Sequence, residues 1–170
     1  NAVRVDVASH TDTHESIEQQ VQWDDDLQHK ARLLEQLLTE REMQQAVIFT
    51  STQRDADELA AHLYDIGHRV APLHGGMPQG RRSRTLMALR RGELRVLVAT
   101  DVAARGIDVP TISHVINFGL PMKAEDYVHR IGRTGRAGAS GVAVTFVDWP
   151  DLTRWKVINK ALDLPFDEPQ

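Results

Sequence analysis

Short apolar runs rich in β-forming residues recur along this chain, separated by stretches with helical periodicity. The runs are 46–50 (AVIFT), 69–73 (RVAPL), 95–100 (RVLVAT), 112–118 (ISHVINF) and 141–147 (GVAVTFV). Each is too short for a buried helix, and RVLVAT shows little polar alternation, the pattern of a strand covered on both faces. Between them, apolar residues return every three or four positions. Leu27, Ala31, Leu34, Leu37 and Leu38 mark one helix face, and Ala56, Leu59, Ala60 and Leu63 mark a second. Strands alternating with helices predict α/β architecture: an open parallel sheet of about six or seven strands, counting IEQQVQW at 17–23, with helices on both faces. Such sheets bind ligands beyond the carboxyl ends of their strands. Thr50, His74, Thr100 and Phe118 fall at or just after those ends.

Punctuation supports the same layout. Thr52 and Asp55 have capping-box spacing, Pro78 suits a helix start, and Gly67, Gly92 and Gly106 suit helix or turn stops. Further helices are expected at 124–131 and 152–162. The 170 residues fit one domain: a linker or tail over 1–15, a folded body over 16–162, and an acidic tail over 163–170.

Composition excludes several classes. Without cysteine there are no disulfides and no thiolate zinc sites, which fits a reducing, cytoplasmic location. No stretch has membrane-spanning length or a signal-peptide pattern. The eight histidines lack ligand spacing, so no metal site is expected. A net charge of −4 argues against a protein coated in basic surface. Arginines nevertheless cluster at Arg81, Arg82, Arg84, Arg90, Arg91 and Arg95, and again in HRIGRTGRAG (129–138).

HRIGRTGRAG places Arg130, Arg133 and Arg136 three residues apart, with Gly132, Gly135 and Gly138 between and after them. Arginine forks match phosphate oxygens two at a time, and glycines allow close backbone approach. The stretch alone leaves two readings open: a phosphate site, or a basic turn paired with local carboxylates. In ATDVAARGIDVP (99–110), Asp108 follows a glycine turn and can accept from ribose hydroxyls or bond its own backbone, and Asp101 can cap the turn. LHGGMPQGRRSR (73–84) offers either a cradle for a nucleic-acid backbone or a solvated basic helix face. No G-x-x-x-x-G-K-[ST] phosphate loop occurs anywhere. Arginines suited to phosphate, without such a loop, suggest half of a site.

Taken in order, AVIFTST, HGGMPQGRR, VLVATDVAARGIDVP and YVHRIGRTGRAG resemble the C-terminal, second RecA-like half of DEAD-box ATP-dependent RNA helicases. The resemblance runs from about residue 17 to 147, and the flanking wording is most similar to bacterial members of the RhlE type. It implies that Arg133 and Arg136 act as arginine fingers on the ATP γ-phosphate, with His129 beside them in the catalytic set. Asp108 and Gly106 would serve the nucleotide. Arg105, His129 and Arg130 would couple the two halves. Thr50, Gly75, Gln79, Arg82 and Thr100 would lie along the RNA backbone. Mg²⁺ with ATP would be held mainly by an N-terminal P-loop domain of the same protein, and the isolated piece would be an inactive monomer. Three positions depart from the usual pattern: Gly76 and Gly119, where Asp is common, and Ala139, where a basic residue is common. The rival readings are a non-catalytic module that docks on RNA or on a helicase, and a DNA translocase.

Overall fold

The computed structural model describes residues 5–8, 16–135 and 140–166. Its strands are β1 (Val5–Ala8), β2 (Ser16–Trp23), β3 (Gln45–Phe49), β4 (Val70–Leu73), β5 (Val96–Ala99), β6 (Ile112–Asn117) and β7 (Gly141–Val147). They form one sheet in the order β1-β2-β7-β6-β3-β5-β4. β2 to β7 pair in parallel, while β1 runs antiparallel along the outer edge of β2. The expected linker at 1–15 therefore includes an edge strand. Val5, Val7 and Ala8 are too few to show a period, and their pairing with β2 is invisible locally.

Alternate residues of β3 divide the core. Ile48 points to the face covered by α1 (Leu27–Leu38) and α2 (Gln53–Asp65), where Leu34, Leu38, Ala60 and Leu63 pack with Val98, Ile116 and Val144. Val47 and Phe49 point to the other face and meet Leu89 of α3 (Gln79–Arg90). Farther along that second face, Tyr127 and Ile131 of α4 (Ala124–Ile131) pack with Trp155 and Ile158 of α5 (Leu152–Ala161). The starts of α1 and α2 follow side-chain capping rules: Asp26 accepts from the His29 amide at 2.8 Å, and Thr52 from the Asp55 amide at 3.0 Å.

Two expectations need correction here. Leu27 lies on the predicted apolar stripe of α1 but is 72% exposed, because the first turn of the helix overhangs the carboxyl edge of the sheet. The acidic tail expected from 163 starts within the folded body: Phe166 is buried against Trp155, and its carbonyl accepts from Asn159 Nδ2 at 2.7 Å. Burying the Phe166 ring outweighs the polar wording around it.

Among the described residues, no helix is long and apolar enough to cross a membrane. The chain crosses from β5 to β6 over β3, so the 100–111 connection hangs above the carboxyl ends of β5, β3 and β6. That is where an open α/β sheet places its ligands.

Candidate functional site

An open concavity of about 400 Å³ lies at this edge, on the α3–α5 face. Arg105 and Gly106 of the β5–β6 connection form one wall, and His129 and Arg133 form another. α4 is fixed from below by Tyr127, which is fully buried, packs against Trp155 and donates its hydroxyl hydrogen to Gln19 Oε1 at 2.5 Å. From that anchor, Glu125, His129 and Arg133 follow at four-residue spacing along one side of the helix and its exit. Glu125 and Asp126 also line the concavity, so its wall carries carboxylates as well as arginines.

Arg130 sits at the base, 2% exposed. Its Nε and Nη2 donate to the two carboxylate oxygens of Asp101 at 2.5 and 2.7 Å. Nη1 donates to Asn117 Oδ1 at 3.1 Å and to the Gly119 carbonyl at 2.6 Å, and the guanidinium lies 5.0 Å from the centre of the Phe49 ring. One side chain thus ties α4 to the ends of β3, β5 and β6. A bidentate pair with further hydrogen bonds is the arrangement that makes a buried charge tolerable. This corrects two expectations. Arg130 is committed inside the domain instead of reaching across to another one. Asp101 binds Arg130, and the simple turn cap expected of it gives way to that stronger partner.

The loop beyond α4 is held closely. Arg133 Nη1 donates to the Ile107 carbonyl at 2.9 Å, joining the arginine loop to the β5–β6 connection. Thr134, fully buried, donates from Oγ1 to the Ile112 carbonyl at 2.6 Å. Gly135 adopts φ +68°, a left-handed turn that favours glycine. A Cβ on Gly141 would come within 2.4 Å of the Gly135 nitrogen, so β7 starts in direct contact with the loop. Arg136, expected as a second finger, lies outside the described residues with 137–139. Asp108 is exposed two residues past Gly106, beside the concavity but not on its wall.

A second group occupies the corner where β5 and β4 end. The Thr100 amide donates to the Leu73 carbonyl at 3.3 Å, which sets Thr100 beside the His-Gly-Gly turn. His74 is buried. Its Nδ1 accepts from the Gly76 amide at 3.1 Å, so in the neutral ring Nε2 carries the proton and donates to Asp57 Oδ1 at 2.8 Å. That pins the turn to α2 and exposes Gly75. α3 then begins at Pro78 without a side-chain cap, with Gln79 exposed and Arg82 Nη1 3.4 Å from Gln79 Oε1. Gly75, Gln79, Arg82 and Thr100 therefore share one corner. Thr50 does not present its side chain there: it is 2% exposed, and its hydroxyl donates to the Thr52 carbonyl at 3.2 Å. His74 was legible only as part of a turn, and its role as the organiser of that turn emerges from the pairing with Asp57, 17 positions away.

Among the described residues, no group of histidine and carboxylate side chains is arranged to hold a metal ion.

Sheet order, switch-point loops and charged edge define the class, a RecA-like α/β domain. Residues 29–138 match the helicase conserved C-terminal domain family. The chain belongs to that family, and its structural likenesses are to DEAD-box proteins. It is similar to the ATP-dependent RNA helicase RhlB of Vibrio cholerae serotype O1, at 49% identity over 119 residues, covering 70% of this chain and 27% of the relative. It therefore spans about a quarter of the length of the curated relatives it matches. Among solved structures it resembles Escherichia coli DEAD-box protein SrmB bound to regulator of ribonuclease activity A, with 40% identity and a TM-score of 0.79, covering 88% of this chain and 85% of that one. It also resembles Saccharomyces cerevisiae Dbp5 bound to RNA and ADP BeF3, at 36% identity and a TM-score of 0.76, covering 82% of this chain and 38% of that one. The curated relatives carry the name RhlB, so the RhlE-type resemblance finds no support in them.

Proposed function

We propose that this chain is the second half of an ATP-dependent RNA helicase, which supplies an arginine finger and RNA-backbone contacts for unwinding short duplexes. One observation carries the reading. Arg133, His129 and Arg105 converge on an open concavity at the switch-point edge of a chain that has no phosphate loop of its own. Such a surface has donors for a phosphate but no means of presenting one.

Arg133 is the finger. Its fork offers two parallel donors to γ-phosphate oxygens and offsets the charge spread over them in the transition state, an effect worth ~10³–10⁵ in rate in phosphoryl-transfer enzymes. To engage, it exchanges its bond to the Ile107 carbonyl for phosphate, so domain closure and finger placement are one event. Arg136 is proposed as its companion. Gly106 and Asp108 serve the ribose side, and Arg105 and His129 face the partner domain. That domain, an N-terminal P-loop half of the same protein, holds ATP with Mg²⁺. Gly75, Gln79, Arg82 and Thr100 grip RNA phosphate and sugar, contacts that carry no sequence preference. Dbp5, which this chain resembles over part of its length, is bound to RNA and ADP BeF3, a precedent for both kinds of ligand on one such protein. We place the protein in the cytoplasm and expect this piece alone to be monomeric and inactive. Glu125 and Asp126 offset the arginines when no second domain is present.

The test is RNA-stimulated ATP hydrolysis by a P-loop half, by this chain, and by the two fused. The reading expects turnover in the fusion, with none from this chain. Turnover by the P-loop half that the fusion leaves unchanged would reduce the domain to a docking module.

A further inference from the structure

The opposite face of the same sheet edge carries a second, larger concavity of about 570 Å³. Its floor is apolar: Leu27 and Ala31 of α1, Leu59 of α2, and Phe118 and Leu120 beyond β6. Its rim is acidic, with Asp55 and Glu58 on α2 and Asp148 and Asp151 after β7. Among the described residues Lys30 is the one Lys or Arg in the lining, and its ammonium lies over the Phe118 ring at 4.3 Å. Leu27 is 72% exposed here, and Trp149, between two of the rim carboxylates, is 65% exposed.

An unusual group lies behind the acidic end of the groove, off its lining. Asp24 is 4% exposed, and among the described residues neither carboxylate oxygen has a hydrogen-bond partner. Buried carboxylates are normally paired, because leaving one without donors carries the full desolvation penalty. Asp24 feels the like charges of Asp148 and Asp151, against the opposite charges of Lys30 and His29. Desolvation first, and those carboxylates next, lift its pKa to about 6, so the pocket favours an arriving cation.

We propose that this groove is the docking site for a basic, leucine- or aromatic-bearing segment of a protein partner. A lysine or arginine of that segment seats against Asp148 and Asp151, with the buried Asp24 behind them adding negative potential, and an apolar side chain covers Leu27, Ala31 and Phe118. Charge complementarity selects this occupant. RNA is disfavoured by the rim carboxylates Asp55, Asp148 and Asp151, Glu58 being ion-paired with Arg54 at 2.9 Å, and an acidic peptide by the same repulsion. Leu27, on the groove lining, supplies exposed apolar area of the kind that marks a contact surface. The inference does not depend on the helicase reading.

The test is a titration of this chain, labelled for NMR, with a short peptide alternating arginine and leucine, an alternating glutamate–leucine peptide, and a single-stranded RNA. The arginine–leucine peptide should shift the resonances of Leu27, Ala31, Leu59 and Phe118. Its affinity should fall about tenfold in D148N/D151N and in Leu27→Ser, each checked for an unchanged fold by its remaining spectrum. Binding should tighten as pH rises from about 5 to 7, a dependence that Asp24→Asn weakens and that Asp151, also raised by burial and by Asp148, retains in part. RNA should leave the groove resonances unmoved, and the glutamate peptide should not bind. Peptide binding that ignores these variants, RNA seated in the groove, or the groove resonances shifting with protein concentration because a second copy occupies it, would each overturn the proposal.

Discussion

The two concavities share one sheet edge and treat charge in opposite ways. On the α3–α5 face the buried charge is Arg130, and its donors are met by Asp101, Asn117 and Gly119. On the α1–α2 face the buried charge is Asp24, and neither oxygen is met by a donor. The satisfied arginine makes a rigid floor on which Arg133 and His129 are positioned. The unsatisfied aspartate leaves interaction energy for a ligand to supply. Gly119 is the wall between them: its carbonyl accepts from Arg130, while it also lines the acidic groove. The difference separates side chains that build a site from those that wait for something to bind.

The largest expected effect breaks the first concavity without touching its floor. In a fusion with a P-loop half, Arg133→Ala should lower RNA-stimulated ATP turnover by ~10³-fold or more. Stability should change much less than in a variant of the buried Arg130, since Arg133 lies on the wall of the concavity and its bond to the Ile107 carbonyl is a side-chain bond near solvent. Steady-state kinetics and denaturant midpoints on the same preparations check both. A comparable loss of stability and activity would mean that Arg133 is part of the floor.

Arg130→Ala should do the reverse, and its signature is structural. Removing one partner of a buried pair strands the other, at a cost of about 3–5 kcal/mol. Asp101→Asn should cost less on its own, because Asp101 is the more exposed partner. The double variant should cost less than the sum. Urea unfolding of the four proteins in that cycle measures the coupling, and additive losses would mean that the pair contributes little.

The shared wall gives the next effect. A Cβ on Gly119 would sit 2.7 Å from Ser51 Oγ and 2.9 Å from the Ser51 backbone nitrogen. Ser51 Oγ can rotate away, but the backbone nitrogen cannot. Gly119→Ala should therefore destabilise by about 1–3 kcal/mol, and Gly119→Asp by at least as much. An aspartate, the residue that the resemblance to DEAD-box helicases leads one to expect here, does not fit the present spacing of the ends of β3 and β6. Gly76 is a milder case, because a Cβ there first meets the flexible end of Gln53, at 2.6 Å. A stable Gly119→Asp variant would show that the strand ends yield.

What was legible in the sequence depended on whether the signal was local. RVLVAT and AVIFT read as buried strands because every residue in them agrees, and they became β5 and β3. The helix expected at 124–131, leading into the arginine loop, became α4. The arginine loop stood out for the same reason. The roles within it did not, because Arg130 meets Asp101 across 29 positions and Asn117 across 13. Spacing alone makes Arg130 and Arg133 equivalent, yet packing buries the first and leaves the second on the wall of the concavity. The orientation of Thr50 is likewise invisible in the sequence: its strand-end hydroxyl is turned toward the Thr52 carbonyl. The acidic groove left no motif, because Leu27, Asp24, Phe118 and Asp148 meet only through the register of β2, β6 and β7.

The smallest effect sharpens the second concavity and carries a pH signature. The folded-state pKa of Asp24, about 6, lies above its ordinary value of 3.8, so between those values the folded protein holds a proton that the unfolded chain releases. Folding stability contributed by this group is thus highest below about pH 4, falls as pH rises toward 6, and stays low at pH 7. A shift of this size corresponds to about 3 kcal/mol. Asp24→Asn recovers only part of that, because a buried amide without partners keeps some of the cost, and a gain of about 1–2 kcal/mol at pH 7 is expected. No gain should appear below about pH 4, where the native carboxyl is already neutral. Asp151, also raised by burial and by Asp148, leaves a residual slope of the same sign in the variant. Denaturation midpoints of both proteins from about pH 4 to 8 decide the matter. Parallel curves would mean that Asp24 ionises normally and that the acidic end of the groove is already satisfied, whereas converging curves at low pH would identify Asp24 as the unpaired charge that the first concavity, with its fully bonded Arg130, does not have.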